Sequence, residues 1–177
     1  GSDVNLQDLA NAIAAYERTV ISTNSAFDKY VLGDQKAMDE AAVRGMALFK
    51  GKARCILCHS GSNFTDNQLH NLGVPQVGPA KEDLGRYNVT RAEKDKGAFK
   101  TPTLRSIIET APYMHDGAFK TLEEVVDFLN EGGGANQNLS ASMKPLNLTP
   151  EEKTDLVAFL KALTGEPIKF QMPKLPK

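Results

Sequence analysis

The chain has 177 residues, and its 21 basic and 22 acidic side chains give a formal net charge of −1 at pH 7. Hydrophobic residues make up 41%, an ordinary proportion for a globular domain with a buried core. The balanced charge lacks the excess of basic residues that is typical of nucleic-acid-binding domains. No apolar run approaches the roughly 20 residues of a membrane span. We treat residues 1–177 as one domain, in which Gly1 and Ser2 are typical of a tag-cleavage remnant.

Three helices are predicted before residue 51. In NLQDLANAIAAYERTVIS, apolar residues recur at helical spacing: Leu6, Leu9, Ile13, Tyr16 and Val20. Ser25 and Asp28 form a capping-box pattern that begins a short helix, and Gly33 ends it. Residues 35–50 place apolar side chains on one face, which predicts a third helix running directly into a cysteine motif.

Residues 60–100 are rich in Gly, Asn, Asp and Pro and show no sustained period. Apolar residues are spread through them, so we expect a long ordered excursion rather than a linker, and a loop of this length usually has a function. After it, Thr101 followed by Pro102 predicts the start of a short helix.

The last third of the chain predicts two further helices. Thr121 caps a helix that continues to about Asn130. Thr149 caps another, with Pro150 at its first position and Gly165 after its end. The predicted fold is therefore all-α.

The segment ARCILCHSGSN contains the motif C-x-x-C-H at Cys55, Cys58 and His59. In this motif two thiols add across haem vinyl groups, and the histidine binds the iron. A zinc site needs two more ligands, and His70 and His115 are isolated in sequence. A redox dithiol needs a βαβ setting that the pattern lacks. The motif favours covalent haem c over zinc, a dithiol or a chance match.

Four runs extend this interpretation: FDKYVLGD, RGMALFKGKARCILCHSGSNF, TPTLRSIIETAPYMHDGAF and LTPEEKTDLVAFLKALTG. Together they resemble the C-terminal domain of bacterial dihaem cytochrome c peroxidases and their MauG-like relatives. The resemblance implies a cytochrome c-like helical domain around one covalent haem, with a long irregular excursion after the haem motif.

The resemblance also implies a function. In this family the C-terminal haem receives single electrons from a small cytochrome c or cupredoxin and passes them to a peroxidatic haem in an N-terminal domain. With a single C-x-x-C-H, the chain resembles the electron-transfer half alone. The family is exported to the periplasm, and the resemblance admits a homodimer.

The second axial ligand of the iron is less well determined. The family places it fourteen residues after His115, where this chain has Leu129, which cannot bind iron. Met143 precedes the last helix, as the ligand does in small monohaem cytochromes, and follows a glycine-rich segment expected to be flexible. Met114 lies in PYMHDG beside the expected pocket. We predict Met143, with Met114 or an open position as alternatives.

Other site residues follow from the resemblance. Arg105 and His70 are expected to contact a haem propionate, although a surface ion pair and simple packing are the alternatives. His115 is expected at the haem edge or at the domain interface, or else as a turn residue. The backbone carbonyls of Thr110 and Pro112 correspond to calcium-binding positions between the family's two domains.

Two other functions compete with the electron-transfer half. One is a stand-alone monohaem electron carrier, which a native precursor without a second C-x-x-C-H would favour. The other is a MauG-like enzyme that oxidises a protein substrate, and the leucine at position 129 counts against it.

Overall fold

The computed structural model describes residues 4–78 and 82–167, and the predicted tag remnant lies outside them. The helices are α1 Leu6–Glu17, α2 Ala26–Val31, α3 Glu40–Lys50, α4 Tyr87–Thr90, α5 Leu122–Asn130 and α6 Pro150–Ala162. Single 3₁₀ turns lie at Cys55–Leu57, Glu93–Asp95 and Ile107–Glu109. Within the excursion, β1 (Leu69–His70) pairs antiparallel with β2 (Phe99–Lys100). The helical prediction is confirmed, with a two-stranded ribbon added.

Side-chain caps explain where most helices begin. The hydroxyls of Ser25, Thr121 and Thr149 each accept a hydrogen bond from the amide three residues later, and the acid at that position bonds back to the cap. Helix α3 begins later than predicted because the carboxylate of Asp39 accepts from the amide of Ala42. The residues before Asp39 form turns instead.

The helix predicted at Thr101 is wrong. The amide of Thr101 donates to the carbonyl of Gln68 at 2.9 Å, and the hydroxyl of Thr103 donates to the carbonyl of Asn63 at 2.7 Å. These bonds hold residues 101–104 against the excursion without regular secondary structure, and the 3₁₀ turn Ile107–Glu109 follows. The cap-like pattern is local, whereas its hydrogen-bonding partners are distant in sequence.

The core is built mainly where α3 crosses α6. Gly45 makes the close approach possible, because a Cβ there would overlap the carbonyl oxygen of Asp155 and lie 2.8 Å from the Cβ of Phe159. Arg44 seals the edge of the crossing with two hydrogen bonds of 2.7 and 2.8 Å to the Asp155 carboxylate. Phe159 and Phe49 are nearly or fully buried, with their rings edge to face at 5.1 Å.

Every residue of helix α1 except Ala14 is exposed, and none of its residues is buried. Its predicted apolar stripe is present but exposed: Leu6 is 85%, Leu9 53% and Ile13 50% exposed, and Val20 just beyond the helix is 48% exposed. A stripe of this kind normally packs against a partner. No helix in the described residues is long and apolar enough to cross a membrane.

Candidate functional site

The cysteine motif lies on the wall of a cavity of about 930 Å³, to which Cys55, Cys58 and His59 all contribute. The 3₁₀ turn begins after Arg54, whose φ of 55° is left-handed, and the amide of His59 donates to the carbonyl of Cys55 at 2.8 Å. Many buried residues on the cavity wall are apolar: Phe49, Tyr113, Leu122, Val126, Leu156 and Leu160. The motif therefore faces a large apolar space, in the upper part of the size range of cofactor sites.

His59 is oriented by hydrogen bonding to the backbone. Its Nδ1 lies 2.9 Å from the carbonyl oxygen of Phe64. A carbonyl only accepts hydrogen bonds, so Nδ1 carries the proton and Nε2 keeps its lone pair. Burial lowers the pKa of His59, although the bond to Phe64 opposes the shift. The ring is thus neutral near pH 7, the form and tautomer in which histidine binds a metal through Nε2.

The cysteines have the properties of unreactive thiols. Burial raises the pKa of Cys55 to about 12. Burial, followed by the negative charge of Asp66, raises the pKa of Cys58. A redox dithiol requires a lowered pKa, so the electrostatics oppose that alternative.

A zinc site is also disfavoured. Among the described residues, the group with suitably spaced metal-binding atoms is Cys58, Asp66 and His70, with its ligand atoms within 4.8 Å of one another. It offers three ligands and omits Cys55, whereas a structural zinc site needs four. Asp66 and His70 already bond to each other at 2.8 Å.

Both other histidines predicted as site residues line the cavity. His70, on β1, has its Nε2 engaged by Asp66. His115 stacks on the ring of Phe99, with 3.8 Å between centroids and 17° between planes. The ribbon brings the two histidines together, since His70 and Phe99 are register partners. Contact of either histidine with a propionate or a partner domain stays a prediction.

Arg105 lines the cavity, but its guanidinium is largely engaged by protein groups. It makes two 3.0 Å hydrogen bonds to the Asp28 carboxylate and one of 2.8 Å to the carbonyl of Ser62. Burial alone would raise the pKa of Asp28, but hydrogen bonds from Arg105 and Ser25 hold it below its ordinary value. Arginine has five N–H groups, so two remain for an anionic group such as a propionate.

The candidate iron ligands are placed differently from one another. Met114 and Leu129 line the cavity, whereas Met143 is not among the lining residues. The terminal methyl group of Met143 instead lies beside Gly133, 3.1 Å from where a Cβ would stand. Thr110 and Pro112 lie on the cavity wall and are exposed as residues, so their predicted calcium role stays a prediction.

The glycine-rich segment 131–142 is held by hydrogen bonds rather than left free, contrary to our expectation. Its main anchor is Asn71, a buried residue on the cavity wall that the sequence reasoning missed. The side-chain nitrogen of Asn71 donates to the Lys96 carbonyl at 2.8 Å and to the side-chain oxygen of Asn136 at 2.9 Å. The backbone carbonyl of Asn71 accepts a hydrogen bond from the amide of Ser140. The local sequence HNLG gives no signal for this role, because the partners of Asn71 are distant in sequence.

The residues present fit a covalently attached haem. Two thiols and a correctly oriented histidine stand together on a large cavity whose wall is extensively apolar, and the neighbouring arginine retains donors for an acid. None of these features alone requires haem, but the described residues offer zinc only three grouped ligands, and burial raises the pKa of both thiols, which opposes dithiol chemistry.

Comparisons with known proteins agree with this fit. A family model described as di-haem cytochrome c peroxidase matches residues 1–36, and a cytochrome c model matches residues 42–164. The chain is 41% identical to cytochrome-c peroxidase IdrP1 of Pseudomonas sp. strain SCT, over 97% of the chain and 53% of that protein. It is also 41% identical to the methylamine utilization protein MauG of Methylorubrum extorquens, over 98% of the chain and 48% of that protein.

A solved structure shows the same fold. A MauG-like protein associated with microbial copper homeostasis superimposes with a TM-score of 0.80 at 35% identity, covering 93% of this chain and 58% of that one. The chain spans about half the length of the relatives it matches. Fold, motif and sequence agree, and the chain belongs to the cytochrome c family, in the group of cytochrome c peroxidases and MauG proteins.

Proposed function

We propose that this chain is the electron-transferring haem c half of a dihaem peroxidase. The observation that carries the proposal is one complete motif, Cys55, Cys58 and His59, on a single large cavity in a chain half as long as its peroxidase relatives. One haem accounts for this motif. A peroxidatic haem would then belong to the half of the relatives that the chain does not match.

Each motif residue has a distinct task. Cys55 and Cys58 would hold the haem through thioether bonds, and His59 would bind its iron, with the carbonyl of Phe64 keeping the ring in one tautomer. The haem supplies the one-electron chemistry, and the protein sets its ligation and its exposure to water. The apolar wall limits water around the haem.

The exposed apolar stripe of α1 is evidence for contact with a second domain. It lies in the part of the chain matched by the dihaem peroxidase model, residues 1–36, and it is exposed in the described structure. An exposed apolar stripe of this spacing is the usual mark of an interface. We propose that the peroxidatic domain covers it.

The remaining partners follow from the family. We propose a small cytochrome c or cupredoxin as electron donor, a periplasmic location and, when both domains are present, calcium at the carbonyls of Thr110 and Pro112. A homodimer is compatible with this arrangement. Covalent haem attachment supports the periplasmic location, and carbonyl oxygen ligands suit calcium.

The test is to produce the chain in a host that attaches haem c and to measure covalent haem, donor oxidation and peroxide turnover. We expect one haem per chain, rapid reduction by a small donor and peroxide turnover only when a peroxidatic domain is supplied. No covalent haem would refute the proposal. Reversible reduction without any transfer to an added peroxidatic domain would favour a stand-alone monohaem carrier.

A further inference from the structure

The identity of the second axial ligand can be approached from the cavity itself. A c-type haem iron has two axial positions, and His59 occupies one in the proposed function on which this inference rests. Haem ligands in proteins are typically His, Cys, Met or Tyr side chains. Both cysteines are used as anchors, so a second protein ligand must be another such residue that lines the cavity.

Helix α5 offers no ligand. The four residues it contributes to the cavity are all aliphatic: Leu122, Val125, Val126 and Leu129. Met143, the ligand we predicted, is not among the described lining residues, and its side chain packs beside Gly133. Its segment is also tied down, since the Met143 amide donates to the carbonyl of Ser140 at 2.9 Å.

Three other lining residues have suitable atoms but are otherwise engaged. His70 gives its Nε2 to Asp66 at 2.8 Å. The ring of His115 lies flat on Phe99, and the residue is exposed. The side chain of Tyr113 is 8% exposed and belongs to the hydrophobic core cluster that also contains Leu122 and Val126 of α5.

Among the lining residues that the structure describes, Met114 remains, and its backbone is unusual. Its φ of 72° is left-handed, a conformation that a bulky residue rarely adopts without a functional reason. The surrounding turn maintains it. The amide of Tyr113 donates to Phe119 at 2.7 Å, and the Asp116 carboxylate accepts from the amides of Ala118 and Val77 at 3.2 and 3.0 Å. This arrangement holds a half-buried thioether on the cavity wall.

We propose that Met114 supplies the second axial ligand of the haem iron, in place of the ligand that α5 lacks. A thioether opposite a histidine favours the ferrous state and leaves no open position for exogenous ligands. The assignment therefore connects a strained backbone position to an iron that transfers electrons without binding substrate.

The experiment compares holoprotein variants by the ferric spin state, the reduction potential and carbon monoxide binding to the ferrous form. Met114→Leu keeps the volume of the side chain and removes its sulfur, and Met143→Leu is the matched control. We expect a low-spin wild type that resists carbon monoxide. Met114→Leu should become high-spin, bind carbon monoxide readily and show a lower potential, whereas Met143→Leu should match the wild type.

Further results distinguish an iron-binding role of Met114 from a merely structural role. Met114→His should restore a low-spin iron with a lower potential than the wild type, which a merely structural role for Met114 would not produce. A low-spin Met114→Leu with unchanged potential, or a wild type that is already high-spin, would overturn the assignment while leaving the haem domain intact. A chain without covalent haem would instead refute the proposed function.

Discussion

Replacing Gly45 by alanine tests how closely the helices must approach. The added Cβ would overlap the carbonyl oxygen of Asp155 and stand 2.6 Å from its carbon and 2.8 Å from the Cβ of Phe159. The first obstacle is helix backbone, which cannot rotate away, so α3 and α6 must separate. Overpacking of this kind costs about 1–3 kcal/mol or more.

Two effects oppose each other in this substitution. Alanine in a helix interior is favoured over glycine by about 1 kcal/mol, which offsets part of the packing cost. Because the overlap is with helix backbone, we put the packing cost at about 3 kcal/mol, so Gly45→Ala should lower the free energy of unfolding by about 2 kcal/mol in urea denaturation of the holoprotein. Cavity residues Phe49, Leu156 and Leu160 lie on the two helices, so the haem spectrum should change as well.

The control is Ala47→Gly at an exposed position of α3, which isolates the propensity term at about 1 kcal/mol of destabilisation. A Gly45→Ala protein as stable as the wild type, with an unchanged spectrum, would refute the reasoning that the crossing requires contact at this position.

Three further predictions concern charge, anchoring and the exposed helix. Asp28→Asn should cost about 1–2 kcal/mol at pH 7, because Arg105 stabilises the carboxylate. The folded pKa of Asp28 is lowered, so its contribution is present above the ordinary value of 3.8 and is lost as pH falls through the lower folded value. The difference from wild type in denaturation curves should therefore shrink in acid, whereas Asp34→Asn at an exposed site should change little at any pH. Cys58→Ala should leave a single thioether, visible as a shift of the pyridine haemochrome band to longer wavelength, and an unshifted band would contradict two-point attachment. Ile13→Glu on α1 should change the stability of this chain by less than about 0.5 kcal/mol because the residue is half exposed, yet weaken association with a peroxidatic domain. Leu156→Ala, at a buried position, should cost about 2–5 kcal/mol in the same assay.

Helix ends were the most predictable part of this fold. The capping boxes at Ser25, Thr121 and Thr149 are local hydrogen-bonding patterns, and the structure forms all three. The same kind of signal failed at Thr101 because its amide is used by Gln68, 33 residues away. Local patterns therefore predict structure reliably only where no distant segment competes for the same backbone groups.

The haem motif was predictable because its chemistry is encoded in five consecutive residues. The rest of the site depends on contacts between distant segments. Periodicity showed which face of α1 is apolar but not whether anything covers it. The likeness of the segment before the last helix to monohaem cytochromes suggested Met143, but the fold places Met114 on the cavity instead. The close approach at Gly45 left no sequence signal, since a helical glycine has many uses.

Asn71 gives the cavity a particular kind of stability. One buried side chain joins two parts of the excursion, at residues 71 and 96, and links them to the segment at residue 136, while the backbone of Asn71 holds Ser140. Breaking any one of these links leaves a buried amide unsatisfied, which costs more than the bond itself contributes. The three segments should therefore open together as one cooperative unit, while the α3–α6 crossing stays folded.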